Sequence, residues 1–354
     1  MTETQLKAQL EQISPADEAA RAAAHAYWAS LAKPLGGLGR LETLLEDAAA
    51  LTGRAQIDVS RRAVFVLCAD NGVVAQGVSQ TDASVTRAVA ENLARHTTSV
   101  CRMADVAHCD VVPVDIGMAG EKVRGVADRR IADGTADFTQ GPAMTRAQTI
   151  DAIEVGMWLV RDWREKGFTL LATGEMGIGN TTTSSAVAAV LLRRPVESMT
   201  GRGAGLSDAG LARKIDAIRR GVAVNRPDAD DPLDVLAKLG GLDIAGLCGV
   251  FLGGALYGVP IAADGFISGV AALCAVRLCP NAGNAVFASH VSSEPAAQLV
   301  LDALGKRPLI TADLHLGEGT GAVASIPLWD MALAVYQNCY SFEEGGIAPY
   351  TPQC

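Results

Sequence analysis

The chain of 354 residues is short of aromatics. Phe, Trp and Tyr make up 5% of it, so Ala, Val, Leu and Ile must fill the core. It also lacks a basic excess. Thirty Lys and Arg face 39 Asp and Glu, a net charge of −9. That balance argues against non-specific nucleic-acid binding, which needs a cationic footprint, but leaves room for one small anion at a local site. No pair among Cys68, Cys101, Cys109, Cys248, Cys274, Cys279, Cys339 and Cys354 has C-x-x-C spacing. No Cys/His set has zinc-ligand spacing, and the five His are scattered without H-E-x-x-H. The expectation is a reduced, cytoplasmic protein with no metal and no cofactor. There is no G-x-S-x-G elbow, which disfavours a Ser-His-Asp nucleophile. The start, MTETQLKAQLEQ, is polar and acidic and does not read as a signal peptide. One stretch, Ile244 to Ala263, is uncharged and long enough for a membrane span. Five glycines and Pro260 interrupt it, and Asp243 and Asp264 bound it without basic flanks. It reads instead as a buried small-residue helix followed by a buried strand.

What is present is apolar residues, at 49%, and 37 glycines. Disorder from low hydrophobicity is excluded, and the length suggests about two domains. Strands are expected at Ala63–Ala69, Asp110–Asp115, Phe168–Thr173, Val259–Ala263, Val286–Ser289 and Leu309–Ala312. Pro113 makes the second an edge or an irregular ladder. Helices are expected at Ser14–Ala32, Leu41–Leu51, about Asp82–Ala107, Thr145–Lys166, Thr181–Leu192, Ser207–Val224, Ile244–Tyr257, Phe266–Leu278, Ser293–Leu304 and Thr320–Tyr340. The first is expected to open on a Ser14 cap with Pro15 after it. Residues 117–144 read as loop. This alternation predicts an α/β fold: a doubly wound, mostly parallel sheet flanked by helices. Residues 61–324 would form the large domain. Residues 1–60 and about 325–354 would form a smaller helical one. Ligands in such sheets bind beyond the carboxyl ends of the strands, so the loops there carry the information.

Three of them are glycine-rich. Gly174-Glu-Met-Gly-Ile-Gly-Asn-Thr-Thr lies between a strand and a helix and fits G-x-x-x-x-G-x-T, with Asn180 where a P-loop has lysine. Without that lysine, triphosphate hydrolysis is disfavoured. Helix-start amides and the Thr181 and Thr182 hydroxyls still make an anion site. The plain alternative is a glycine turn capped by Asn180. Gly201-Arg-Gly-Ala-Gly also leads into a helix. There Lys214 is either a snorkelling surface lysine or the cation missing from the first loop. The third loop, Leu314-His-Leu-Gly-Glu-Gly-Thr-Gly, sets Glu318 between two glycines, where a ligand can approach closely. Glu175 holds a comparable place after its strand. Either carboxylate alone reads as a helix-entry charge. Two of them on two strand-end loops point to acid/base chemistry. Ser289-His-Val-Ser-Ser-Glu-Pro also follows a strand, so its hydroxyls are expected to line the cleft.

KPLGGLGRLE (33–42), ADNGVVAQGVS (69–79), GEMGIGNTTTSSA (174–186), the 201–205 loop with Lys214, DGF (264–266), SHVSSEP (289–295) and LGEGTGA (316–322) occur in order along nearly the whole chain. Together they closely resemble the nicotinate-nucleotide–dimethylbenzimidazole phosphoribosyltransferases of cobalamin synthesis. The resemblance implies transfer of phosphoribose from nicotinate mononucleotide to a benzimidazole-type base, giving the α-ribotide and nicotinate. It also implies a homodimer. By position it implies that Glu318 is the catalytic base and Glu175 a second carboxylate beside the reacting base. Gly177, Ile178, Gly179, Asn180, Thr181, Gly203 and Lys214 would hold the ribose phosphate. Ser79, Gln80, Thr81, Val89, Ser292 and Leu316 would form the aromatic-base pocket. The sequence departs from the family pattern in three places: Asn71 replaces a His, Val89 a Gln and His315 an Arg. The first two are expected at the base pocket, so the same reaction on a purine or a phenolic base is an alternative. A non-catalytic nucleotide-binding protein is another.

Overall fold

The computed structural model describes residues 1–350; Cys354 and the last residues of the expected small domain lie outside them. The strands are β1 (Arg62–Ala69), β2 (Asp110–Gly117), β3 (Ala127–Asp128), β4 (Leu170–Met176), β5 (Ile261–Ala263), β6 (Val286–Ala288), β7 (His290–Val291) and β8 (Ile310–Thr311). Helices are α1 (Glu3–Leu10), α2 (Glu18–Ser30), α3 (Arg40–Thr52), α4 (Ser84–Ala94), α5 (Ser99–Ala107), α6 (Arg146–Glu165), α7 (Asn180–Leu191), α8 (Val196–Met199), α9 (Asp208–Asn225), α10 (Pro232–Leu239), α11 (Leu242–Tyr257), α12 (Phe266–Leu278), α13 (Ala297–Ala303) and α14 (Thr320–Asn338). β1 to β6 form one parallel sheet in the order β3-β2-β1-β4-β5-β6, and β7 pairs with β8. The order reverses between β1 and β4. That switch point is where helices leave to opposite faces and a crevice opens.

β1 is buried along its whole length. Ala63, Phe65 and Leu67 face one core with α6, α7, α10, α11 and α12. Val64, Val66 and Cys68 face the other, with α2 to α5 and α14. Strand alternation thus divides the apolar surface between two helical layers. The uncharged run forms the buried helix α11 and strand β5. Among the described residues no helix is long and apolar enough to cross a membrane. The glycines of α11 have a packing reason. A Cβ on Gly249 would lie 2.0 Å from the Ile153 carbonyl of α6, and one on Gly156 would lie 2.0 Å from the Gly246 carbonyl.

Several boundaries differ from the sequence expectation. α2 starts after Asp17, whose carboxylate accepts the Ala20 N–H at 2.9 Å, rather than after Ser14. Asp is an equally strong cap, and it stands directly before the buried stripe Ala20, Ala24 and Trp28. The long helix expected from Asp82 divides into α4 and α5 at His96, which adopts a left-handed φ of 58°. α13 begins at Ala297, not Ser293, because the segment before it, with Ser292 and Glu294, forms part of the cleft wall. α1 and α10 have no counterpart in the sequence expectation, although Thr2 with Gln5 makes a capping box and Asp231-Pro232 a cap with proline after it. Pro113 fits the expected irregularity. β3 pairs only with Val114 and Asp115, so the strand has no outer neighbour at the proline.

Candidate active site

A cavity of about 270 Å³ lies beyond the carboxyl ends of β4 and β5, beside the switch point. Glu175, near the end of β4, is 7% exposed. Asn180, first residue of α7, donates its side-chain amide to Glu175 and, at 2.9 Å, to Asp243 Oδ2. Asp243 sits in the first turn of α11 and is fully buried. Burial, then the Asp243 charge, pushes Glu175 up to about 8 against the Asn180 bond. Burial likewise pushes Asp243 up to about 6. Two buried carboxylates bridged by one amide cannot both be ionised cheaply, so the pair keeps a proton at neutral pH.

Glu318 precedes α14 in a left-handed conformation, φ 59°, between Gly317 and Gly319, each at φ 87°. A Cβ on Gly317 would lie 2.9 Å from Glu175 Oε1, so the loop runs close against the first carboxylate. Burial raises the proton affinity of Glu318; the Val100 amide and Thr98 hydroxyl at the start of α5 oppose this. Glu318 Oε2 is buried without a protein partner. A carboxylate with raised basicity and an oxygen free to accept a hydrogen bond suits a general base.

Across the cleft stand the second glycine loop and Lys214. Lys214 of α9 has no exposed surface. The snorkelling alternative therefore fails, since its Nζ points inward to Thr181 Oγ1 at 2.9 Å and the Gly201 carbonyl at 3.1 Å. Burial lowers its pKa to about 8, which Glu294 opposes. Gly203 lies directly on this pair. A Cβ there would be 2.9 Å from Thr181 Oγ1, and the φ is 54°. The Gly203 N–H is taken by Glu294 Oε1 at 3.0 Å.

Of the residues singled out from sequence, Glu175, Gly177, Ile178, Gly179, Asn180, Thr181, Gly203, Ser79, Gln80, Val89, Ser292, Leu316 and Glu318 line this one cavity. Lys214 stands behind the lining, and Thr81 is exposed outside it. Gln80 is engaged with the second glycine loop through the Ala204 carbonyl at 3.0 Å. Asn71, expected at the base pocket, is instead buried under the first glycine loop and donates weakly to the Ile178 carbonyl at 3.4 Å. Val89 and His315 do reach the cavity. Sequence reasoning assigns no role to Asp264, His290, Arg202 or Glu294, which also line it. Their motifs DGF and SHVSSEP are visible, but nothing in them marks the acidic or imidazole group. Asp243 carries no signal beyond ending an uncharged run.

A family model described as Phosphoribosyltransferase matches residues 13–347. The chain is 47% identical over 325 residues to the nicotinate-nucleotide–dimethylbenzimidazole phosphoribosyltransferase of Acetivibrio thermocellus, covering 92% of this chain and 93% of that one. It is 42% identical over 345 residues to the protein of the same name from Desulforudis audaxviator, covering 97% and 98%. The crystal structure of CobT from Thermus thermophilus superposes with a TM-score of 0.89 at 39% identity, covering 94% of this chain and 100% of that one.

Proposed function

The chain belongs to the phosphoribosyltransferase family whose model spans residues 13–347, and from that premise we infer that its cleft is a base-exchange site. It transfers phosphoribose from nicotinate mononucleotide to a benzimidazole-type base, giving the α-ribotide and nicotinate. The benzimidazole in the relatives' names favours that acceptor over a purine or a phenol.

One observation supports the residue roles: two carboxylates of raised proton affinity line one cavity, and a buried lysine stands behind its glycine-loop wall, donating to Thr181. The phosphate is read as seated on the 177–181 backbone beside Gly203, where it would take the Gly203 N–H from Glu294, with Lys214 behind Thr181 neutralising it. An arriving anion restores the full charge of a lysine that burial has weakened. The mononucleotide carries its nicotinate as a pyridinium, so the ring leaves with the C1′–N bonding pair and becomes neutral at nitrogen. One imidazole nitrogen of the incoming base forms the new bond to C1′ from the opposite face. Glu318 takes the proton from the other nitrogen, and its negative charge favours the cation-like sugar. Glu175, kept protonated by burial and by the nearby Asp243 charge, faces the same space as a hydrogen-bond donor. The reading includes a homodimer acting in the cytoplasm, and sedimentation equilibrium tests the dimer.

The activity test is nicotinate release from nicotinate mononucleotide, with benzimidazoles, purines and phenols offered in parallel. Glu318→Gln is expected to keep nucleotide binding and lose about 10²–10⁴ in kcat, the value of a general base. Near-normal turnover in that variant removes Glu318 from the mechanism.

A further inference from the structure

α14 has no cap of its own. The residue before it is Gly319, with no side chain to accept the first-turn N–H groups. The acceptor comes from another strand. Asp264, just after β5, takes the Gly319 N–H on Oδ2 at 3.1 Å. Its Oδ1 takes the Gly321 and Ala322 N–H groups at 2.9 and 3.1 Å. Its own N–H is tied to Thr173 Oγ1 of β4 at 3.1 Å. Asp264 is 7% exposed, so these bonds are shielded from water.

The segment it grips is an unfavourable one. Three successive residues, Gly317, Glu318 and Gly319, have positive φ, and Glu318 has a Cβ to accommodate. Such a conformation persists only where its surroundings over-determine it. Two contacts do so. The Glu318 carbonyl would be 2.6 Å from a Cβ on Gly174, so β4 pins the backbone from one side. Asp264 pins it from the next residue on. His290 packs against the same turn, its Nδ1 3.9 Å from Asp264 Oδ1 and directly over Gly321.

We propose that Asp264 is a positioning residue for Glu318. By capping α14 from β5 it fixes the left-handed turn at 317–319 and so aims the carboxylate of the base. This inference rests on the reading of Glu318 as the base. A cap this tight is a means of holding a loop-borne side chain to the tolerance that catalysis requires.

A double-mutant cycle on the full-length enzyme tests it. Asp264→Asn keeps the shape but has only one oxygen acceptor. It is expected to lower kcat by about 10- to 100-fold while KM for nicotinate mononucleotide changes less than about threefold. In a Glu318→Gln background the same substitution is expected to cost less than about threefold, because a misaimed base that is already absent loses nothing. Multiplying defects, or an Asp264→Asn enzyme with normal kcat, would overturn the proposal. A Glu318→Gln enzyme of normal activity overturns the base assignment instead, before Asp264 enters. Asp264→Ser, which leaves a hydroxyl acceptor and no buried charge, replaces Asn if that variant does not fold. Hydrogen exchange on the wild type needs no variant. Protected amides at Gly319, Gly321 and Ala322 support the cap, and fast exchange at all three rejects it.

Discussion

Lys214 and Glu175 are both buried ionisable groups, and burial acts on them with opposite signs. Glu175 binds its proton up to about pH 8 in the folded chain, but only to the ordinary 4.5 when unfolded. Between those values the folded state holds more protons, so its contribution to stability is full below the lower value and is lost as pH rises through about 8. Glu175→Gln removes that loss. Its melting temperature is expected to exceed wild type by a few degrees near pH 8 and to match it below about pH 5, by calorimetry across that range; a constant difference rejects the buried proton. Lys214 falls from 10.5 to about 8, so the unfolded state holds more protons in that window and stability rises with pH there. Lys214→Met is expected to abolish that rise without lowering the melting temperature near pH 7. It is also expected to weaken nicotinate mononucleotide binding at least about tenfold, the value of one charge-assisted phosphate contact. Titration calorimetry reads the second effect, and unchanged affinity takes Lys214 out of the cradle. From sequence, Lys214 stands open between two readings, and the charged forms of Glu175 and Glu318 cannot be told from helix-entry carboxylates. Burial excludes a surface lysine and raises the proton affinity of both carboxylates, and burial is a property of packing.

At the scale of elements, the backbone-to-backbone meeting of α6 and α11 is the tightest demand on the sequence. Gly156→Ala would push a methyl against the Gly246 carbonyl, and relief requires moving a core helix. The expected cost is about 1–3 kcal/mol, read as a lower urea midpoint; an unchanged midpoint means the helices slide freely. The pieces themselves are largely readable: Phe266–Leu278 is helical over the expected residues, and β1 differs by one residue. Errors fall at both ends: β4 runs to Met176, three residues past the expected Thr173, so Glu175 lies within the strand rather than after it. Ser14, Asp17 and Ser293 are all good caps by type, and only the position of the buried stripe or the demands of the cleft choose among them. α10 escapes the periodicity although its cap signal is strong, because the Gly- and Asp-rich surroundings mask eight residues.

For the molecule as a whole, packing sets which of the described thiols are accessible. Among the described cysteines six are buried, Cys339 is partly exposed, and none is disulfide-bonded. Among the described cysteines a thiol reagent is expected to modify only Cys339 quickly in the native protein. All eight should react in denaturant. Rapid native labelling of any buried one contradicts the packing of the core.

Strand-and-helix periodicity is local, and it is enough to imply a parallel sheet with glycine loops after its strands and an anion site at one of them. The family motifs, also local, name the loop residues. Which carboxylates share a space is another matter. Glu175, Asp243, Asp264 and Glu318 lie far apart along the chain, and their meeting depends on β1, β4 and β5 lying side by side with a reversed order at the switch point. Mutual repulsion, the raised proton affinities of Glu175 and Asp243 and the capping of α14 from β5 exist only once those strand ends converge. Electrostatics falls off with distance in space, and the sequence records distance only along the chain.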